Sequence, residues 1–204
     1  EEAASALERW EKPEGGFLDE YVALEPLYFN VYAIVLHLLG RHEKELVVAI
    51  EGQRRFPSRG SLRDREMEAR AALGDMEGLE PLLQEDRSGG AYALYRIWST
   101  TDELRAHGYP EEARAVLEEE LRRFDVHPIY AHVDTLKPAQ KPHYRANVLH
   151  RLGREKEAHD LWEEVLPHVP AGHEVVGLLG VTAAHIGDTT QAREMDERLA
   201  GSYD

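Results

Sequence analysis

The sequence predicts an all-α chain of helical hairpins repeated in tandem, and three observations carry that prediction. Five glycines, Gly40, Gly74, Gly108, Gly153 and Gly187, each close an amphipathic run, and they are separated by 34, 34, 45 and 34 residues. On both sides of these glycines the apolar residues recur at helical spacing: Leu36 and Leu39, Leu149 and Leu152, or Ala183 and Ile186 before, and Ala113, Val116, Leu117 and Leu121 after. An alanine stands five residues past the glycine in "GYPEEA" (108–113), "GREKEA" (153–158) and "GDTTQA" (187–192). Helices commonly end on a left-handed residue, a conformation glycine adopts without steric cost. Where a second, antiparallel helix starts next to so short a turn, a small side chain lets the two approach.

Taken in order, Glu1, Glu2 and Ala3, with Leu7 and Trp10 following, read as the second helix of a hairpin whose first helix is missing. "EKPEGG" (11–16) is a turn-forming cluster. The first complete hairpin opens at Pro26, a residue suited to the first turn of a helix, and closes at Pro57. The second hairpin, around Gly74, places Arg63, Glu66 and Arg70 where bulky apolar residues are expected. It also has Leu79, and the first hairpin Glu45, where the others have alanine. "SRG" (58–60) and "DRSGG" (86–90) separate the early units. The third interval is longer because of an inserted loop at 125–142, "DVHPIYAHVDTLKPAQKP", whose three prolines argue for an irregular path. The hairpin around Gly153 carries Ala146, Leu149, Ala158, Trp162 and the closing Pro170, and the last one carries Leu179 and Gly180 ahead of Gly187. The final "RLAGSYD" closes a second helix without a polar capping helix. Residues 1–204 are thus expected to form one domain cut from a longer array.

Units of 34 residues built this way resemble tetratricopeptide (TPR) repeats. The resemblance implies a right-handed α-solenoid of about five hairpins plus a leading half-repeat, with the first helix of each hairpin lining a concave groove.

Composition removes whole classes of function. The 204 residues contain no cysteine, so disulfides, thiolate nucleophiles and cysteine-based zinc sites are excluded. Runs such as "YAIVLHLLG" (32–40) are far shorter than the roughly 20 residues of a membrane span. A formal charge of −15 argues against nucleic-acid binding and favours basic partner surfaces. The compartment is not fixed by the sequence, with a soluble, cytoplasmic location slightly favoured. "GGAYAL" (89–94) lacks the Lys and Ser/Thr of a phosphate-binding loop, and no GxSxG elbow is present. Seven of eleven histidines crowd between His127 and His173, at separations of 5, 11, 7, 9, 9 and 5. Ligand pairs on one helix want three- or four-residue spacing, so these read as surface or groove histidines, and no metal or other cofactor is expected. The acidic runs "EEELRRF" (118–124) and "EKEAHDLWEE" (155–164) read as solvated faces of second helices. Tyr21, Tyr28, Phe29 and Tyr32 read mostly as core.

The TPR resemblance also implies where a ligand would lie. Counting back from each turn glycine gives Leu27, Asn30, Ile34 and His37; Asp64, Glu68 and Ala71; Tyr95, Trp98, Asp102 and Arg105; and Gln140, His143, Asn147 and His150, with Arg151 beside them. The family's carboxylate clamp uses Lys and Asn at such places, and Lys is absent here. Tyr95, Trp98, Arg105, Asn147 and Arg151, rigid aromatics with Arg and Asn, have the composition of a peptide-binding hot spot, the alternative being that Tyr95 and Trp98 pack against the insertion. The expected role is therefore a non-catalytic scaffold that binds a peptide or protein segment. Two alternatives stand beside it: a sensor or regulatory region of a larger bacterial kinase or cyclase, and a helical-repeat enzyme or small-molecule binder using the histidine-rich region. Trp162→Ala is expected to damage the core, and Trp98→Ala to damage binding more than folding.

Overall fold

A computed structural model describes residues 26–87, 91–126, 140–169 and 173–201, and every regular element among them is helical. In chain order these are α1 (Pro26–Leu38), α2 (His42–Arg55), α3 (Gly60–Leu73), α4 (Met76–Asp86), α5 (Ala91–Ala106), α6 (Pro110–Val126), α7 (Gln140–Arg151), α8 (Glu155–Val165), α9 (His173–Ile186) and α10 (Thr189–Ala200), with a short 3₁₀ turn at Leu166–His168. The leading half-repeat lies outside the described residues, as do 127–139 of the expected insertion; its ends belong to α6 and α7.

The five glycines of the sequence period are the only positive-φ residues among those described, with φ of 66°, 66°, 91°, 72° and 87°. Each turn repeats one hydrogen-bond pattern. The glycine N–H donates to the carbonyl three residues back, and the next N–H donates to the carbonyl five residues back. At Gly40 these are Gly40 to His37 and Arg41 to Leu36; at Gly153 they are Gly153 to His150 and Arg154 to Leu149. This double closure satisfies carbonyls that a helix end otherwise leaves orphaned. The following helix begins two residues after each glycine. At Gly74 a side chain is excluded twice over, because a Cβ there would also run into the ring of Tyr109.

Packing follows the order of the chain. α1 contacts α2 and α3, and α2 contacts α3; α6 contacts α7, α7 contacts α8, α8 contacts α9, and α9 contacts α10. The fifth residue past the glycine is wholly buried as Leu79, Ala113 and Ala158. Glu45 occupies the same place in the first hairpin and is equally buried.

The chain divides into two compact units, 1–85 with 102–109, and 86–101 with 110–204. In the first, Phe29, Ala33, Leu36, Ala49, Leu62 and Met67 are buried. Gly52 admits Phe29 and Leu62, which a Cβ there would press at 2.8 and 3.1 Å. The charged positions of α3 form polar pairs in place of apolar contacts. Arg63 binds Glu85 at 2.8 Å and the Leu82 carbonyl at 2.8 Å, Arg70 pairs with Glu66 at 2.7 Å and with Asp75, and Gln53 donates to Glu66.

In the second unit, one core centres on Trp162, wholly buried among Ala146, Leu149, Ala158, Val176 and Leu179. Another joins Leu94, Trp98, Leu117, Phe124, Tyr144 and Val148. Each Leu or Val buried in this way contributes about 1.5–3 kcal/mol. The run at 155–164 leaves Glu157, Asp160, Glu163 and Glu164 exposed as expected, whereas one carboxylate of the other run is not solvated. Glu120, inside "EEELRRF", is fully buried against Arg87 at 2.5 Å, because a carboxylate taken out of water requires a partner. His159 is buried too and bonds Gln191 Oε1 through Nε2 at 2.8 Å.

Candidate functional site

Six of the ten expected groove residues fall in the second unit, on α5, on α7 and at the C-terminal end of α7. Tyr95 and Trp98, three apart on α5, share a helix face, as do His143, Asn147 and Arg151 at four-residue steps on α7. Trp98 is only 4% exposed, whereas Tyr95 is 46% exposed. Their rings meet edge to face at 5.0 Å, and Tyr144 of α7 completes the cluster at 5.7 Å from Trp98 and 6.3 Å from Tyr95. The Arg151 guanidinium lies 5.2 Å from the centre of the Trp98 ring. That contact orients a cation over an aromatic face.

Asn147 is buried and ties the α7 face together. Its amide nitrogen donates to the His143 carbonyl at 3.1 Å, and its oxygen accepts from Arg151 at 3.3 Å. The His143 ring reaches toward Glu174 of α9 at 3.6 Å. Burial pulls the His143 pKa below its ordinary value against the pull of Glu174, so the ring is neutral at pH 7. Burial, helped by Glu174, pushes the Tyr95 hydroxyl up, and burial followed by Tyr95 and Glu174 does the same to Tyr144. The surface therefore offers a phenol, a neutral imidazole and a guanidinium over a rigid aromatic base. It suits an aliphatic or aromatic side chain with hydrogen-bonding groups on either side.

The remaining expected residues are placed differently. His150 belongs to a separate group, its Nδ1 at 2.8 Å from Glu155, whose other oxygen is 3.1 Å from His185. Asn30, His37, Asp102 and Arg105 lie in the first unit. Asn30 and Arg105 are half-buried and Asp102 is exposed. His37 points at Glu45 and is part of a cluster with His42, Glu103 and His107 that sequence spacing did not reveal. That cluster draws on α1, α2 and the end of α5, so no single helix displays it. The signal present in the sequence was the glutamate at the place where other hairpins carry alanine or leucine.

Trp98 itself is a core residue, clustered with Leu94, Leu117, Phe124, Tyr144 and Val148, and its ring meets that of Tyr95 edge to face. Its truncation is expected to harm folding. No family model matches the chain, and no curated protein matches it.

Proposed function

We propose that the chain is a tetratricopeptide-type repeat scaffold, its hairpins stacked as a right-handed solenoid, that binds a peptide or protein segment across Tyr95, His143 and Arg151. One observation carries the binding reading: a half-exposed tyrosine rests on a buried Trp98–Tyr144 pair, with an arginine stacked beside it. Aromatic and Arg anchors dominate peptide interfaces because they offer area and directed hydrogen bonds at little entropic cost. Here the anchors are held by packing before any ligand arrives, so little free energy is spent on ordering the receptor. The chain's charge of −15 favours a partner segment that is basic overall. The successive packing of α1 on α2 and α3, and of α7 through α10 in chain order, supports the stacked-hairpin arrangement.

The test is selection from displayed random peptides by the whole chain, repeated with Tyr95→Ala and Arg151→Ala. Enriched basic peptides should lose about 30-fold in affinity for Tyr95→Ala, the weight of one hot-spot residue. Enrichment that is indifferent to both substitutions, or no enrichment, would defeat the proposal.

A further inference from the structure

In the first unit, three helix ends bring together His37 (α1), His42 and Glu45 (α2), Glu103 (α5) and His107 just after α5. Glu45 Oε2 is 3.0 Å from His37 Nδ1 and 3.1 Å from His42 Nδ1. On its other side, His37 presents Nε2 to Glu103 Oε2 at 3.5 Å, and His107 Nε2 lies 3.4 Å from the same oxygen. The His42 and His107 rings meet edge to face at 4.6 Å.

We propose that His37, His42 and Glu45 bind one divalent transition-metal ion of the zinc class, with Glu103 as the positioning carboxylate on the far side of the His37 ring.

Four observations support this site. The three donor atoms all lie within 4.8 Å of one another. Tetrahedral bonds of 2.0–2.1 Å set ligand atoms about 3.3 Å apart, so the 3.0 and 3.1 Å separations require only small adjustments. Two imidazoles and one carboxylate are a zinc-type donor set that leaves a fourth position for water.

Next is the accounting of protons on His37. A neutral imidazole has one N–H, yet carboxylates face both of its nitrogens. If Nδ1–H serves Glu45, the lone pair of Nε2 faces Glu103, and Glu103 Oε2 is a buried atom without a hydrogen-bond partner. A metal on Nδ1 places the proton on Nε2 and directs it to Glu103, the arrangement by which ligating histidines are commonly held.

Third, Glu45 is fully buried where other hairpins have Leu79, Ala113 or Ala158. A buried carboxylate is costly unless a cation compensates it. Last, the side chains of His37 and His42 are 20% and 12% exposed, which leaves a path for the ion.

The second group, His150, Glu155 and His185, serves as a control, because His185 is 54% exposed and Glu155 is not buried. The experiment is titration of the whole chain with Co²⁺, followed by its visible absorption, and then displacement by Zn²⁺. One saturable cobalt site is expected. Glu45→Ala, which installs the residue that three of the other hairpins carry, and His42→Gln should each abolish it while circular dichroism stays helical. Glu103→Gln should weaken it about 10- to 100-fold. The double variant His150→Gln with His185→Gln should leave it unchanged. Absence of saturable binding, retention in both Glu45→Ala and His42→Gln, or loss only in the His150 and His185 variant would overturn the assignment.

Discussion

Single side chains account for much of what this chain can tolerate. Glu120 and Arg87 form an ion pair in which both side chains are almost without solvent, so Glu120→Ala removes a charge partner from a buried cation. Chemical denaturation should show a loss of about 3–5 kcal/mol, whereas replacing both partners by apolar residues should be close to neutral. Trp162 and Trp98 are both core, and each alanine variant should lose about 3–5 kcal/mol on the same measurement. Glu68 gives a pH dependence. Burial foremost raises its pKa to about 7 against the pull of Arg65, with Glu103, Glu45 and Asp64 adding to the rise. The folded chain thus holds this proton more tightly than the unfolded chain, whose carboxyl titrates near 4.5. Its stabilising effect is complete below that pH and is lost as pH rises towards 7. Urea midpoints across that window should therefore fall less in Glu68→Gln than in the parent.

At the scale of elements, the turns were legible because their stereochemistry is local. A helix that must reverse within two residues needs a left-handed position, and glycine occupies it at all five turns. Nothing lies within 4 Å of a Cβ built at Gly153, so Gly153→Ala isolates the backbone term, about 1–2 kcal/mol in thermal unfolding. Gly74→Ala should cost more, since its Cβ also displaces Tyr109. The charged helix α3 was harder to read, because its apolar stripe is thin and Arg63, Glu66 and Arg70 find partners on α2, on α4 and in the turn at Asp75. No local pattern announces the α4 partners of Arg63 or the α2 partner of Glu66.

For the molecule as a whole, the all-helical class and the hairpin order were written in the period, while the candidate site was only partly legible. Groove counting picked out residues that lie together on α5 and α7, but it could not tell that Trp98 and Asn147 are buried, because Tyr144 and Val148 pack with Trp98 from a helix more than forty residues on. The same limit hid the cluster of His37, His42, Glu45, Glu103 and His107, which forms only when three helix ends converge. The central functional claim is that first helices of the hairpins meet the ligand and second helices do not. Hydrogen exchange with and without a selected peptide tests it most directly. Added protection in α5 around Tyr95 and along α7 is expected. Protection confined to α6, α8 and α10 would contradict it.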